Sequence, residues 1–204
     1  MVGEHGTVED GARVDHTRKV ILVRHSVPQI EPGVPARAWH LSAEGRRRGI
    51  RLAAHLAAYA PGCLVASTEP KAAETAELVA HMRGLSWQSV AGLHEHERNS
   101  VGYLGEDDFR RCLADFFARP AELVWGDETA EQAYRRFAAA IEAAMVRCPA
   151  ATMAVFTHGT ILSLFAGRRA GIDPYRLWQR LDMPSIVVLS WPAGRLVEIL
   201  ERVE

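Results

Sequence analysis

Val20-Ile21-Leu22-Val23-Arg24-His25-Ser26 decides the reading of this chain. Four aliphatic residues in succession predict a strand buried on both faces, as in a parallel sheet. The run stops at Arg24-His25. In open α/β sheets, ligands bind beyond the C-terminal ends of the strands. Arg supplies a fixed cationic fork suited to phosphate, and neutral His supplies a nucleophilic nitrogen. A strand ending in Arg-His is thus a candidate for phosphoryl chemistry, but most such pairs are ordinary loop residues. The weight of the pair depends on what the other strand ends carry.

Working outward, Val27 to His40 holds Pro28, Pro32, Gly33 and Pro35 and reads as a loop that walls the site. Trp39 reads as core packing beneath it. Ser42 is an N-cap residue with Glu44 in the first turn, so a helix follows to about Tyr59. Its Arg46-Arg47-Arg48 run reads as a solvated face rather than an anion patch. Cys63 to Ala66 is a second buried strand. It is followed by Ser67-Thr68 and a helix opening at Glu69-Pro70, with Thr68 as the expected cap. Lys71 then lies in the first turn, where the positive end of the helix favours an anion. A solvent-exposed lysine is the plainer reading of that position taken alone.

Further on, Trp87 to Val90 reads as a short strand, and Leu93-His94-Glu95-His96-Glu97-Arg98 as a polar loop. His94 and His96 alternate as two metal ligands on a strand would, but no third ligand completes a zinc pattern. Asp107 to Ala118 is an amphipathic helix placed where a cap can form. Thr129-Ala130-Glu131-Gln132 is a capping box that starts a long helix to about Arg147. Met153 to Thr157 is a third buried strand, and His158-Gly159 follows it. Asp173-Pro174 starts a short helix, and Ser185 to Trp191 with Arg195 to Leu200 form a closing hairpin. The expected fold class is therefore α/β: a three-layer α/β/α sandwich with a mainly parallel sheet.

Composition narrows the function. Acidic and basic residues nearly cancel, giving a formal net charge of −1, which argues against sequence-independent nucleic-acid binding. No apolar run approaches a membrane span. Residues 1–18 lack the apolar core of a signal peptide and read as a flexible tail; residues 19–204 read as one domain. Cys63, Cys112 and Cys148 are odd in number and far apart, which fits reduced thiols in the cytoplasm.

Assembled in order, these pieces resemble the histidine phosphatase superfamily, the phosphoglycerate mutase-like fold. The Arg-His-Gly signature is present as Arg24-His25-Ser26. The Leu-Thr-x-x-Gly helix start is Leu41-Ser42-Ala43-Glu44-Gly45. The Ser-x-x-x-Arg-Ala-x-x-Thr-Ala segment is Ser67 to Ala76, with Lys71 in the Arg position. Leu-x-Glu is Leu93-His94-Glu95, Gly-Glu-Ser/Thr is Asp127-Glu128-Thr129, and the second His-Gly is His158-Gly159.

The resemblance implies that His25 is the nucleophile and becomes a phosphohistidine. It implies that Arg24, Lys71 and His158 hold the phosphoryl oxygens, and that Glu95 protonates the leaving oxygen and then activates water. No metal or organic cofactor is implied. The substrate class is a phosphorylated small metabolite or phosphoprotein, with no nucleic-acid or membrane partner. Two departures matter: Ser26 adds a side chain near the anion, and Lys71 replaces a bidentate fork by a point charge. Three functions stay open: a phosphatase, a catalytically weak or inactive phosphate-ligand binder, and a phosphomutase. The oligomeric state and the substrate's identity are not legible.

Overall fold

A computed structural model describes residues 18–203 of the chain. Strands β1 (Arg18–Arg24), β2 (Cys63–Ala66), β3 (Trp87–Ser89), β4 (Thr152–Thr157), β5 (Ser185–Trp191) and β6 (Leu196–Leu200) form one sheet in the order β3-β2-β4-β1-β5-β6. The first four run parallel; β5 and β6 are antiparallel to their neighbours. Helices α1 (Ala43–Ala57), α2 (Pro70–Arg83), α3 (Glu106–Ala118), α4 (Ala130–Arg147), α5 (Gly159–Ala170) and α6 (Pro174–Arg180) cover it. The expected α/β sandwich with a mainly parallel sheet is thus the observed one.

Strand alternation explains the three layers. In β1, Val20 and Leu22 join a cluster with Phe137, Ile141 and Ile161 from α4 and α5. Ile21 and Val23 join a second cluster with Leu52, Leu56 and Val79 from α1 and α2. All four β1 side chains are fully buried, so each contributes roughly 1.5–3 kcal/mol of transfer free energy. A strand apolar on both faces can lie only in the middle of such a sandwich.

Helix starts largely follow their sequence signals. Ser42 caps α1 by accepting from Gly45 N, and Thr129 with Gln132 forms the reciprocal capping box of α4. Asp173 caps α6 through Tyr175 N and Arg176 N. Gly45 is required for contact: a Cβ there would lie 2.0 Å from Val27 O. The Arg46 and Arg47 side chains are exposed and paired with Glu74 and Glu44, as a solvated face requires. The α2 start departs from expectation: its N-cap is Glu69, not Thr68, and no side-chain bond caps it. Trp39 is half-buried and donates Nε1–H to Val34 O (2.9 Å), so it ties the loop together instead of entering the core.

The cysteine expectation is overturned. Cys63 and Cys148 form a disulfide across a sequence separation of 85, and Cys112 remains free. Topology is the reason. Cys148 ends α4 just ahead of β4, and Cys63 begins β2, where it pairs with Met153 of β4. Adjacent parallel strands therefore bring two distant thiols together at the strands' N-terminal ends. Arg18 belongs to β1 and donates to Met145 O and Cys148 O at the end of α4. The rest of the expected tail, residues 1–17, lies outside the described residues, as does residue 204.

Candidate active site

Register assembles the site. Arg24 pairs with Thr157 and Ala66 with Phe156, so the residues following β1, β2 and β4 emerge side by side. Two backbone bonds continue the ladder past the strand ends: His25 N to Thr157 O at 2.8 Å, and Ser67 N to Phe156 O at 2.9 Å. His25, Ser67 and His158 thereby share one edge.

The His25 ring lies 2.7 Å through Nδ1 from Ser26 O. A carbonyl oxygen only accepts, so Nδ1 carries the proton and Nε2 carries the lone pair. Burial, helped by the neighbouring His158 and the Lys71 charge, holds this imidazole well below its usual range, so it is neutral at pH 7. A neutral imidazole with a free Nε2 is the form that attacks phosphorus. Ser26 does not crowd this nitrogen with an idle hydroxyl: Oγ donates to Gly45 O (2.7 Å), and its N–H donates to Thr75 Oγ1 (3.1 Å). The serine ties the end of β1 to α1 and α2.

His158 follows β4 and forms the N-cap of α5. Its ring meets that of His25 at 5.2 Å between centroids and 64° between planes. Nε2 lies 2.8 Å from Ser67 Oγ, while Nδ1 is buried with no partner among the described residues. Burial and the Lys71 charge lower its pKa well below the usual value. Arg24 donates Nη1–H to Leu181 O (2.5 Å), and its Nε is buried without a partner among the described residues. Gly159 makes room for this guanidinium, since a Cβ there would sit 2.9 Å from Arg24 Cζ and Nε.

Lys71 is buried, not solvated. Its ammonium is ion-paired with the equally buried Glu69 carboxylate and donates to Ala36 O at 2.8 Å. Glu69 also accepts the Glu95 N–H at 2.9 Å and lies 3.7 Å from His158 Nε2.

Glu95 accepts from His96 N (2.9 Å), Ile161 N (3.0 Å) and Thr160 N (3.1 Å), which seats it on the N-terminus of α5. Burial pushes its carboxyl up, but the Arg98 charge and these N–H groups outweigh burial and bring it to about 2. Glu95 is therefore a carboxylate at neutral pH. Arg98 lies over the rings of Phe109 and Trp125, at 5.2 and 5.3 Å, with Nη1 buried and unpartnered among the described residues.

The geometry thus gathers Arg24, His25, Lys71, Glu95 and His158. It separates His94 and His96: the first bonds Glu97 Oε1 at 2.9 Å, and the second is buried against Phe116 and Trp125. Glu69, Arg98 and Ser67 are the site residues that sequence reading passed over. A carboxylate two residues before Lys71 was the available signal for Glu69. Arg98 offered only its nearness to Glu95, because its aromatic supports lie 11 and 27 positions further along.

The model of the histidine phosphatase superfamily (branch 1) matches residues 20–201, and the chain belongs to that family. A search of curated proteins finds no significant match. Among solved structures, Bacillus stearothermophilus YhfR superposes with a TM-score of 0.71 at 21% identity, covering 90% of this chain and 96% of its own. A mycobacterial glucosyl-3-phosphoglycerate phosphatase gives 0.69 at 17% identity, with 91% and 99% covered. A putative alpha-ribazole-5'-P phosphatase of Escherichia coli gives 0.67 at 19%, with 91% and 97% covered. At these identities the likeness concerns the fold.

Proposed function

We propose that this chain is a phosphatase that hydrolyses a phosphomonoester of a small metabolite or phosphoprotein through a phosphohistidine on His25. The observation that carries the reading is the neutral His25 ring. Its Nδ1 is pinned on Ser26 O, its Nε2 has no hydrogen-bond partner among the described residues, and its ring packs edge-on against His158 with the Arg24 and Lys71 charges nearby. In the first step Nε2 attacks phosphorus, the bond to the ester oxygen breaks, and that oxygen leaves with a proton. In the second step water attacks the phosphohistidine, gives up a proton and releases inorganic phosphate. Splitting the displacement suits a covalent nucleophile. Cationic and N–H groups fixed around the phosphoryl oxygens supply the electrostatic part.

Glu95 serves both proton transfers in this scheme. As a carboxylate it is ready to take the proton of the attacking water. To protonate the leaving oxygen it must first be loaded against the bias of Arg98 and the α5 N-terminus. The scheme therefore favours esters whose leaving oxygen needs little help. No helix among the described residues is long and apolar enough to cross a bilayer.

A second reading has one observation in its favour. Lys71 spends its charge on Glu69 and Ala36 O, so the pocket holds fewer free cations than a phosphoryl dianion would use. That favours a weakly catalytic phosphate-ligand binder. A hydrolysis screen over alkyl, aryl, sugar and amino-acid phosphates, with His25→Ala as the blank, separates the two. The phosphatase reading expects phosphate release above the blank on at least one ester. Saturable phosphate binding with no release on any ester supports the binder instead.

A further inference from the structure

The pocket contains a second buried carboxylate besides Glu95. Glu69 is buried at the α2 N-cap, on the rim shared by His158 and Lys71. Its Oε2 holds the Lys71 ammonium, and its Oε1 holds the Glu95 N–H while lying 3.7 Å from His158 Nε2. His158 in turn faces His25 across 5.2 Å. An ionised carboxylate has about four lone-pair sites, so two remain unengaged by these partners, beside the His158 ring that packs on His25. Any oxyanion seated there touches a negative oxygen.

The charged and titratable groups around Glu69 are few. Lys71 comes from its own helix, and His158 from the β4–α5 junction. Glu95 comes from the loop after β3, with Arg98 behind it. Arg24 and His25 lie at the end of β1. Both imidazoles are held neutral. Two cations, Arg24 and Lys71, thus face two carboxylates, Glu69 and Glu95, with Arg98 in addition. A dianion with no proton meets repulsion from Glu69. An oxyanion that still carries a proton donates it to Glu69 and converts repulsion into a charge-assisted hydrogen bond.

We propose that Glu69 makes the anion seat selective for a protonated phosphoryl group: phosphate over sulfate, and the monoanion of a phosphomonoester over its dianion. The substrate class is accordingly an ester bound with one phosphoryl proton retained, a form that gives way to the dianion above a second pKa near about 6. The inference rests on the phosphate-handling reading above and adds the protonation state of what is bound. Glu69 is its selectivity filter; Lys71 is the cation that the filter keeps in check.

Sulfate and inorganic phosphate share a size and shape, but only phosphate has a proton to give at neutral pH. Calorimetric titration of each into the parent protein and into Glu69→Gln, at pH 6 and pH 8, is the test. The parent is expected to bind phosphate about tenfold or more tighter than sulfate, the difference one hydrogen bond to a charged group makes. Inorganic phosphate keeps at least one proton at both pH values, so the preference over sulfate is expected to hold from pH 6 to pH 8. Glu69→Gln keeps an acceptor for the Glu95 N–H and frees Lys71, so sulfate binding is expected to strengthen about tenfold and the preference to collapse.

Equal phosphate-to-sulfate ratios in the two proteins overturn the role of Glu69 while leaving an anion seat in place. Binding of neither anion by either protein overturns the phosphate-handling reading itself and the inference with it. Should Glu69→Gln fail to fold, the parent decides alone: indifference to which anion is offered, at both pH values, overturns the proposal.

Discussion

The two sides of the pocket are built on opposite plans. On the β1 side, Arg24-His25-Ser26 is held by strand register and by bonds to Gly45 and Thr75, and His25 Nε2 has no hydrogen-bond partner among the described residues. On the α2 side, Glu69 and Lys71 neutralise one another before any ligand arrives. In the proposed scheme the first side prepares a nucleophile and the second restrains an anion seat. Presence of a family's motif and availability of its charges are thus separate matters. Lys71 occupies the motif position, yet its ammonium is already engaged.

The largest effect is expected on the β1 side. His25→Ala is expected to bring phosphate release down to the uncatalysed background while the far-ultraviolet circular dichroism stays unchanged; near-parent release by that variant would remove the nucleophile. Gly159→Ala reaches the same corner from behind. Its new Cβ falls 2.9 Å from the Arg24 guanidinium, and displacing that group by about 1 Å is expected to cost on the order of 10²-fold in kcat/KM. Parent-like kinetics in a folded Gly159→Ala protein would show that Arg24 has room to spare or no part in the reaction.

Glu95→Gln comes next. General acid–base contributions of roughly 10²–10⁴-fold set its expected loss on alkyl phosphates, with a smaller loss on aryl phosphates. Equal losses on both would speak against proton delivery. The same variant checks the charge state of Glu95. A carboxyl lowered in the folded state contributes stability above its unfolded pKa, and that stability is lost as pH falls through the folded one. The gap in melting temperature between parent and Glu95→Gln is therefore expected to hold above about pH 5 and to close toward pH 2. A gap that is flat across this window would mean the carboxylate gains nothing from the α5 N-terminus.

The α2 side is expected to respond in stability as well as in anion binding. Lys71→Ala leaves Glu69 buried without its cation, a change of about 3–5 kcal/mol, readable as a lowered urea midpoint. Combining it with Glu69→Gln is expected to recover most of the loss. If the single variant is as stable as the parent, the ion pair is not the tie described above.

Much of this was legible in the residue order, and what was not has identifiable causes. Continuous apolar runs marked β1, β2 and β4 because strands between two helical layers admit no polar alternation. The caps at Ser42, Thr129 and Asp173 were legible because capping is a contact between residues two or three apart. The Cys63–Cys148 bridge was not, because it depends on β2 lying beside β4, a property of sheet order and not of either cysteine's surroundings in the chain. Glu69 reads as a helix opener in the sequence for a similar reason: its partner Lys71 is near in the chain, but its contacts with His158 and the Glu95 N–H come from residues far along it. The pairing of Arg98 with Phe109 and Trp125 likewise exists only after the loop closes onto α3.

The central claim is that His25 becomes covalently phosphorylated during turnover. The direct measurement is a rapid denaturing quench, at alkaline pH, of parent enzyme mixed with a substrate found in the ester screen, followed by peptide mass spectrometry. The account predicts a phosphoryl group on the peptide containing His25, placed on its imidazole, that forms within one turnover and decays as phosphate is released. Turnover with no label on that peptide, or with the label on another residue, would contradict it.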